Sequence, residues 1–332
     1  MINRRQFGGF CAAVTAASVA ACAPPSGVRT GAAPANTFPP LKQIEAGVLD
    51  IGYADLGPAD GPPVILLHGW PYDVHSYVDV APALVSAGYR VIVPFLRGFG
   101  ATTFLAAGTL RNAQQTAVAS DVIALMDALH FPKAIIGGFD WGSRTACIVA
   151  ALWPARCQAL VAVSGYLITN PAAQARPLPP AAEHGWWYQY YFSTERGVVG
   201  YRENLRDFTK LIWKTASPGW NFDDPTFERT AASFDNPDHV DIVIHNYRWR
   251  LGLAGGEPRY DDLERQLVPG PVIAVPSITI ASDFDGPAAG GESYRSKFVG
   301  PYSHRIFAGI GHNVPQEAPR RFAEAVVDAD HL

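Results

Sequence analysis

Cysteine is scarce in this sequence: 4 in 332 residues, with no Cys-x-x-Cys pair. Nothing in the spacing suggests a structural metal site. Charge is scarce as well, at 17% of residues against 48% hydrophobic, and no basic run occurs beyond the N-terminus. Lys+Arg 26 against Asp+Glu 30 leaves a net charge of −4. Phosphate-backbone binding needs clustered positive charge, so a nucleic acid partner is not expected. No internal repeat is visible. The apolar stretch near the N-terminus, 8–21, is shorter than the roughly 20 residues of a membrane-spanning helix. What remains has the composition of a globular, enzyme-like chain, long enough for one sizeable α/β domain or two small ones.

The N-terminus reads as an address rather than as fold. Arg4-Arg5-Gln6-Phe7 precedes the apolar stretch and resembles a twin-arginine export signal, and Val19-Ala20-Ala21-Cys22 resembles a bacterial lipobox. Residues 1–21 are therefore expected to be a signal peptide and Cys22 a lipidated first residue. The protein would then be exported to the periplasm or cell envelope and could be anchored to its membrane. Ordinary cleavage after Ala23 is disfavoured by Pro24. Removing 1–21 takes away two arginines and no acids, so the net charge becomes −6. Residues 22–40, rich in Ala, Pro, Gly, Ser and Thr, read as a flexible tether. Cys147 and Cys157 could pair in an oxidising compartment. Each sits in an apolar context, however, and two separate buried thiols are expected.

From Leu41 the texture changes. A hairpin-like pair over 43–54 is followed by an apolar strand at 64–67, and strands and helices then alternate. Helices are expected over 78–87, 113–129 and 143–152, and strands at 91–93, 134–136 and 160–163. Strands that are apolar throughout imply a parallel sheet covered on both faces. The alternation stops near Tyr166, and an aromatic-rich, helical stretch follows to about 254. Strand texture returns at 276–281 and 305–307, before a final helix over 315–327. The expected architecture is an α/β core, 41–165 and 255–332, interrupted by a helical cap, 166–254.

Gly138-Phe139-Asp140-Trp141-Gly142 lies between an apolar strand and a helix. The glycines permit a tight turn that lifts the central side chain to the helix N-terminus, where the helix dipole favours a carboxylate. Read alone, the pattern could equally be an N-cap aspartate. In context it makes Asp140 the candidate nucleophile. His68-Gly69-Trp70-Pro71 follows another strand, and the backbone N–H groups of Trp70 and Trp141 are the candidate oxyanion donors. His68 itself reads as structural, holding the turn. Gly309-Ile310-Gly311-His312 follows the last strand, which makes His312 the candidate base. No Asp or Glu occurs between Ser164 and Ala182, whereas two, Asp283 and Asp285, follow the next strand, one of the places where the resemblance described below implies an orienting acid. There Asp285 lies three residues past Ser282 and is preferred over Asp283.

Together these segments resemble the epoxide hydrolase and haloalkane dehalogenase branch of the α/β-hydrolases. The resemblance rests on HGWP (68–71), Leu96-Arg97-Gly98-Phe99-Gly100, GFDWG (138–142) and GHNVPQ (311–316), and it covers the chain from about Leu41 onward. It implies an α/β-hydrolase fold with a mostly parallel sheet, and an aspartate that attacks an sp3 carbon to give an alkyl ester. Base-activated water then attacks the aspartate carbonyl. Trp187-Tyr188-Gln189-Tyr190-Tyr191-Phe192 looks like the first-tyrosine segment of the soluble epoxide hydrolases, and His245-Asn246-Tyr247-Arg248 like the second. Tyr188 and Tyr247 are thus implied as donors to the opening oxygen, and a phenol with a pKa near ~10 stays protonated for that task. Trp141, Trp187 and Gln189 are implied to contact substrate.

A dehalogenase reading stays open, because Trp141 or the cap tryptophans could cradle a halide. Trp70, however, stands where many haloalkane dehalogenases carry Asn. Gln189-Tyr190 stands where fluoroacetate dehalogenases carry His-Trp. A non-catalytic binding protein on this fold is the third reading. For the first, the expected substrate is a small apolar or aromatic epoxide, with no cofactor and no metal.

Overall fold

A computed structural model describes residues 37–332. The expected signal peptide, Cys22 and most of the expected tether lie outside the described residues. The domain begins slightly earlier than expected, because Phe38 already packs against the core and lies against His75.

Nine strands form one sheet: β1 Lys42–Ala46, β2 Leu49–Leu56, β3 Pro63–Leu67, β4 Arg90–Pro94, β5 Thr103–Phe104, β6 Ala134–Gly138, β7 Cys157–Val163, β8 Ser277–Ser282 and β9 Tyr302–Phe307. The order is β1-β2-β4-β3-β6-β7-β8-β9, with β5 paired to β2. Pairs involving β2 are antiparallel, and all the others are parallel. The parallel strands read as continuous apolar runs because both faces are covered; Val64, Ile65, Leu66 and Leu67 are fully buried. Successive residues of β6 demonstrate the two layers. A side chain at Gly137 would meet Phe322, and one at Gly138 would meet the backbone of Gly142. Those neighbours belong to helices on opposite faces, α12 (Pro319–Asp330) and α3 (Trp141–Leu152).

The remaining core helices are α1 (Ala81–Ser86), α2 (Gln115–Ala128), α10 (Asp261–Leu267) and α11 (Val314–Glu317). The single helix expected over 315–327 is broken in two. Pro319 pushes the preceding residue out of helical conformation, and Ala318 sits at φ −139, ψ 58. Between β7 and β8 the chain forms six α-helices: α4 Pro180–Gly185, α5 Trp187–Ser193, α6 Glu195–Glu203, α7 Leu205–Ala216, α8 Asp224–Ala231 and α9 His239–Arg250. Cys147 and Cys157 are free and buried, as expected. Burial raises both thiols to about 12, so neither is a nucleophile at neutral pH.

Candidate active site

Leu67 and Gly138 are register partners on adjacent parallel strands. The loops HGWP and GFDWG therefore leave the sheet side by side at its carboxyl edge, where ligands of open α/β sheets bind. The close approach is steric. A Cβ at Gly142 would lie 1.9 Å from the Leu67 carbonyl oxygen, and one at Gly69 would lie 2.3 Å from the Asp140 Cβ. Asp140 itself sits at φ 53, ψ −122, a left-handed conformation that a non-glycine residue holds only when its surroundings enforce it.

The Trp70 N–H, one of the two expected oxyanion donors, donates to Asp140 Oδ1 at 2.8 Å. Trp141 opens α3, and its N–H is among the first-turn donors that the helix cannot satisfy internally. His312 Nε2 lies 3.5 Å from Asp140 Oδ2. Burial works against ionisation of Asp140. The His312 side chain, the Arg144 charge and the Trp70 N–H outweigh it, and the carboxyl is held below its ordinary value. Arg144, one turn along α3, is buried with no hydrogen-bond partner at Nε. Burial and the Arg250 cation lower its pKa to about 10, with Asp140 the first of the groups pulling the other way. It stays charged at neutral pH and helps to keep Asp140 ionised.

Tyr188 on α5 and Tyr247 on α9 are both brought to the nucleophile. Their rings meet edge to face with centroids 5.4 Å apart, and each ring lies against Trp70, at 5.1 and 5.3 Å. Burial raises both phenols above their ordinary value, and the Asp140 charge adds to the shift. Both remain protonated donors through neutral pH. A cavity of about 580 Å³ opens beside Tyr188, lined by Asp140, His312, Trp70, Trp187 and Tyr188 among others, whereas Tyr247 is fully buried behind Tyr188 and Trp70 and is not on the lining. That volume suits a small organic molecule.

Three expectations change here. The structure does not bring Asp285 to His312: its carboxylate accepts the Ser282 N–H at 2.8 Å and closes a capping box with that residue. The three-residue spacing that singled out Asp285 is the spacing of the box itself, and a local bond of this kind competes with longer-range ones. Asp283 instead accepts the Gly309 N–H at 3.0 Å. His312 Nδ1 is consequently buried without a partner, and its ring is covered by Phe284 at 4.4 Å. Second, Gln189 is buried but does not line the cavity; one residue further along α5 turns it away from the face that Trp187 and Tyr188 present. Third, Trp141 lies beneath the cavity wall rather than on it, against the Tyr247 ring at 6.0 Å, and its indole N–H has no partner.

His68 has the structural role expected of it. Nε2 accepts the Leu96 N–H at 3.1 Å, Nδ1 lies 3.1 Å from the Gly69 carbonyl, and burial lowers its pKa to about 4, which keeps it neutral. Arg97 is likewise structural, forked onto Asp121 at 2.6 and 2.7 Å. Sequence reasoning missed two sets of residues. One is a buried relay in which the Trp70 indole donates to the Tyr201 hydroxyl at 2.8 Å, with His239 Nε2 a further 2.9 Å on. The other is Ser217 and Glu317, which hold the loop bearing His312. A lone Ser before Pro218 carries no sequence signal of such a task. Among the described residues, no group of three or more His, Cys, Asp or Glu could hold a metal ion.

Comparison with known proteins places this geometry. Residues 62–199 match the family described as the alpha/beta hydrolase fold. Epoxide hydrolase B of Mycobacterium tuberculosis is 32% identical over 170 residues, 47% of either chain. A haloalkane dehalogenase of Mycobacterium marinum is 37% identical over 142 residues, 42% of this chain and 44% of that one. The chain thus spans about half the length of these curated relatives. A candidate epoxide hydrolase of known structure from Klebsiella pneumoniae is 57% identical with a TM-score of 0.86, covering 88% of this chain and 97% of the other. The chain belongs to the α/β-hydrolase family. Within it, the chain falls in the branch that holds the epoxide hydrolases and haloalkane dehalogenases.

Proposed function

We propose that the protein opens epoxides to diols through a covalent alkyl ester on Asp140. The observation that carries this reading is the packing of two protonated cap phenols, Tyr188 and Tyr247, on each other and on Trp70, whose N–H holds Asp140, with Tyr188 sharing the cavity lining with that carboxylate. Oδ1 is held by the Trp70 N–H, so Oδ2 attacks the epoxide carbon. As the carbon–oxygen bond breaks, the leaving oxygen takes a proton from a phenol. His312 then removes a proton from water, whose oxygen adds to the Asp140 carbonyl carbon. Negative charge develops on Oδ1, on the donors that already hold it. Collapse expels the diol and restores the carboxylate, while the His312 proton and the phenol proton are exchanged through solvent.

Asp285 is the acid of the working site. Like Asp283 it adjoins Phe284, which covers His312, and a buried Nδ1 requires an acceptor; its place three residues past the strand end is what favours it over Asp283. Moving there costs Asp285 its bond to the Ser282 N–H. The aromatic lining of the cavity favours an apolar or aromatic epoxide.

Dehalogenation is the second reading, favoured by the M. marinum relative. Against it, the Trp70 indole is committed to Tyr201 and that of Trp213 to the Pro71 carbonyl. The twin-arginine and Cys22 motifs support export as a lipoprotein, to be tested by the N-terminus of the mature protein.

The decisive experiment uses His312→Gln without the signal segment, incubated with panels of epoxides and haloalkanes and read by intact mass. Without the base the alkyl ester should persist. A gain equal to a whole epoxide is the expected result. A gain equal to a haloalkane less HX moves the assignment to dehalogenase, and no adduct with any compound overturns the aspartate mechanism.

A further inference from the structure

The base is held from the cap. In Ala216-Ser217-Pro218 the proline excludes helical conformation at the residue before it, so α7 ends at Ala216 and Ser217 leaves the helix at φ −132, ψ 66. Ser217 is 1% exposed. Its Oγ accepts the His312 N–H at 2.8 Å and the Asn313 N–H at 3.4 Å, and donates to Glu317 Oε1 at 2.6 Å. Glu317 also accepts the N–H groups of Gly311, at 2.8 Å, and Asn313, at 3.1 Å. The His312 N–H is shared with the Ala216 carbonyl at 3.2 Å. Three successive N–H groups of the base loop thus end on one cap segment and one core glutamate. A Cβ at Gly311 would lie 2.5 Å from Ser217 Oγ, so glycine is what allows the approach.

The same helix reaches the other catalytic loop. Trp213 donates to the Pro71 carbonyl at 2.8 Å and stacks on Tyr72, which in turn stacks on His312, with centroids 5.0 and 5.5 Å apart. Four residues of α7, from Leu211 to Ala216, line the substrate cavity.

We propose that Ser217 is a positioning residue that sets the His312 imidazole against Asp140. Through it α7 couples contact with substrate to the placement of the base. The proposal rests on the alkyl-ester mechanism above and assigns Ser217 to one of its two steps. Formation of the ester needs Asp140 and the phenols. Hydrolysis of the ester needs a correctly aimed imidazole, and a displacement of about 1 Å in such a group can cost about 100-fold.

The test resolves the two steps. Ser217→Ala, Ser217→Thr and the native protein, all without the signal segment, are mixed with a reactive aryl epoxide, and both steps are timed by intact mass. In Ser217→Ala, ester hydrolysis should slow by about 10- to 100-fold and the alkyl-enzyme should accumulate, while ester formation falls by less than about threefold. Ser217→Thr, which keeps the hydroxyl, should restore hydrolysis. Equal loss in both steps, or no change in hydrolysis, overturns the proposal. A second readout needs no turnover: the His312 imidazole NMR signal should move in Ser217→Ala. An unmoved signal overturns the positioning role. A moved signal with no adduct even in His312→Gln leaves that role standing and removes the epoxide reading instead.

Discussion

Around Asp140 the constraints come from backbone packed against backbone, whereas around His312 they come from side chains, one of them 95 positions away in sequence. The nucleophile's turn is closed by Gly138 and Gly142, which leave no room for a Cβ, and its Oδ1 already rests on a backbone N–H. The base has its N–H satisfied by a cap serine but its Nδ1 unpaired, and the carboxylate expected there is engaged with Ser282. One half is thus fixed by close backbone packing, with one donor already on the carboxylate. The other depends on the seating of the cap and on one hydrogen bond exchanged for another. On the proposed mechanism, the geometry that delivers an attack on carbon is fixed by packing, while that which activates water depends on side-chain bonds.

Alanine at the two glycines should separate the halves most sharply. In Gly142→Ala the new Cβ meets the Leu67 carbonyl at 1.9 Å, and neither β3 nor α3 can yield without the other. Such overpacking typically costs about 1–3 kcal/mol and displaces Asp140 from its donors. Ester formation should disappear, and the thermal midpoint should fall. Gly311→Ala meets Ser217 at its Oγ, Cα and Cβ, 2.5 to 2.7 Å away, so relief requires the end of α7 to shift, which moves the base loop and leaves the Asp140 turn in place. It should form ester and fail mainly to hydrolyse it, as intact mass would record. Equal effects of the two substitutions on ester formation would abolish the distinction drawn between the halves.

A smaller effect is expected from the acids. Asp285→Asn should slow ester hydrolysis by about 10- to 100-fold, in the range of a lost positioning partner, with ester formation little changed. Asp283→Asn leaves an amide oxygen to accept the Gly309 N–H and removes only the charge, and should alter either step by less than about threefold. The reverse ranking, followed in single turnovers, would assign the acid to Asp283 and leave Asp285 as a plain cap.

The same contrast explains what the sequence made legible. Asp140, Trp70 and the alternating strands were readable because glycine spacing and continuous apolar runs record backbone requirements directly. Tyr188 and Tyr247, 59 residues apart in chain number, were found only through the resemblance of their segments, and the structure does bring their rings together. Ser217 and Glu317 were not legible at all, since a serine before proline and a glutamate in a helix occur anywhere. Gln189 was misplaced because a helical segment marks its members as neighbours without saying which face meets substrate. Asp285 was singled out by a spacing that two structures share, a triad acid after a strand and a capping box, and only the coordinates show the box made.

The smallest effect expected is the most informative about the nucleophile's half. The Asp140 carboxyl is held below its ordinary 3.8, burial being outweighed by His312, Arg144 and the Trp70 N–H. A carboxyl whose folded pKa is depressed contributes stability that is complete above the unfolded value and is lost only as pH falls through the folded one. Between about pH 5 and pH 7 the nucleophile is therefore ionised throughout. Ester formation, timed by mass in single turnovers of the native protein so that His312 still faces Asp140, should change by less than about twofold across that window. In the native protein any loss of turnover on the acid side should then appear as accumulated ester, because the step that forms it stays constant across the window. If ester formation itself collapses toward pH 5, Asp140 is not held ionised, and the nucleophile's half is no better fixed than the base's.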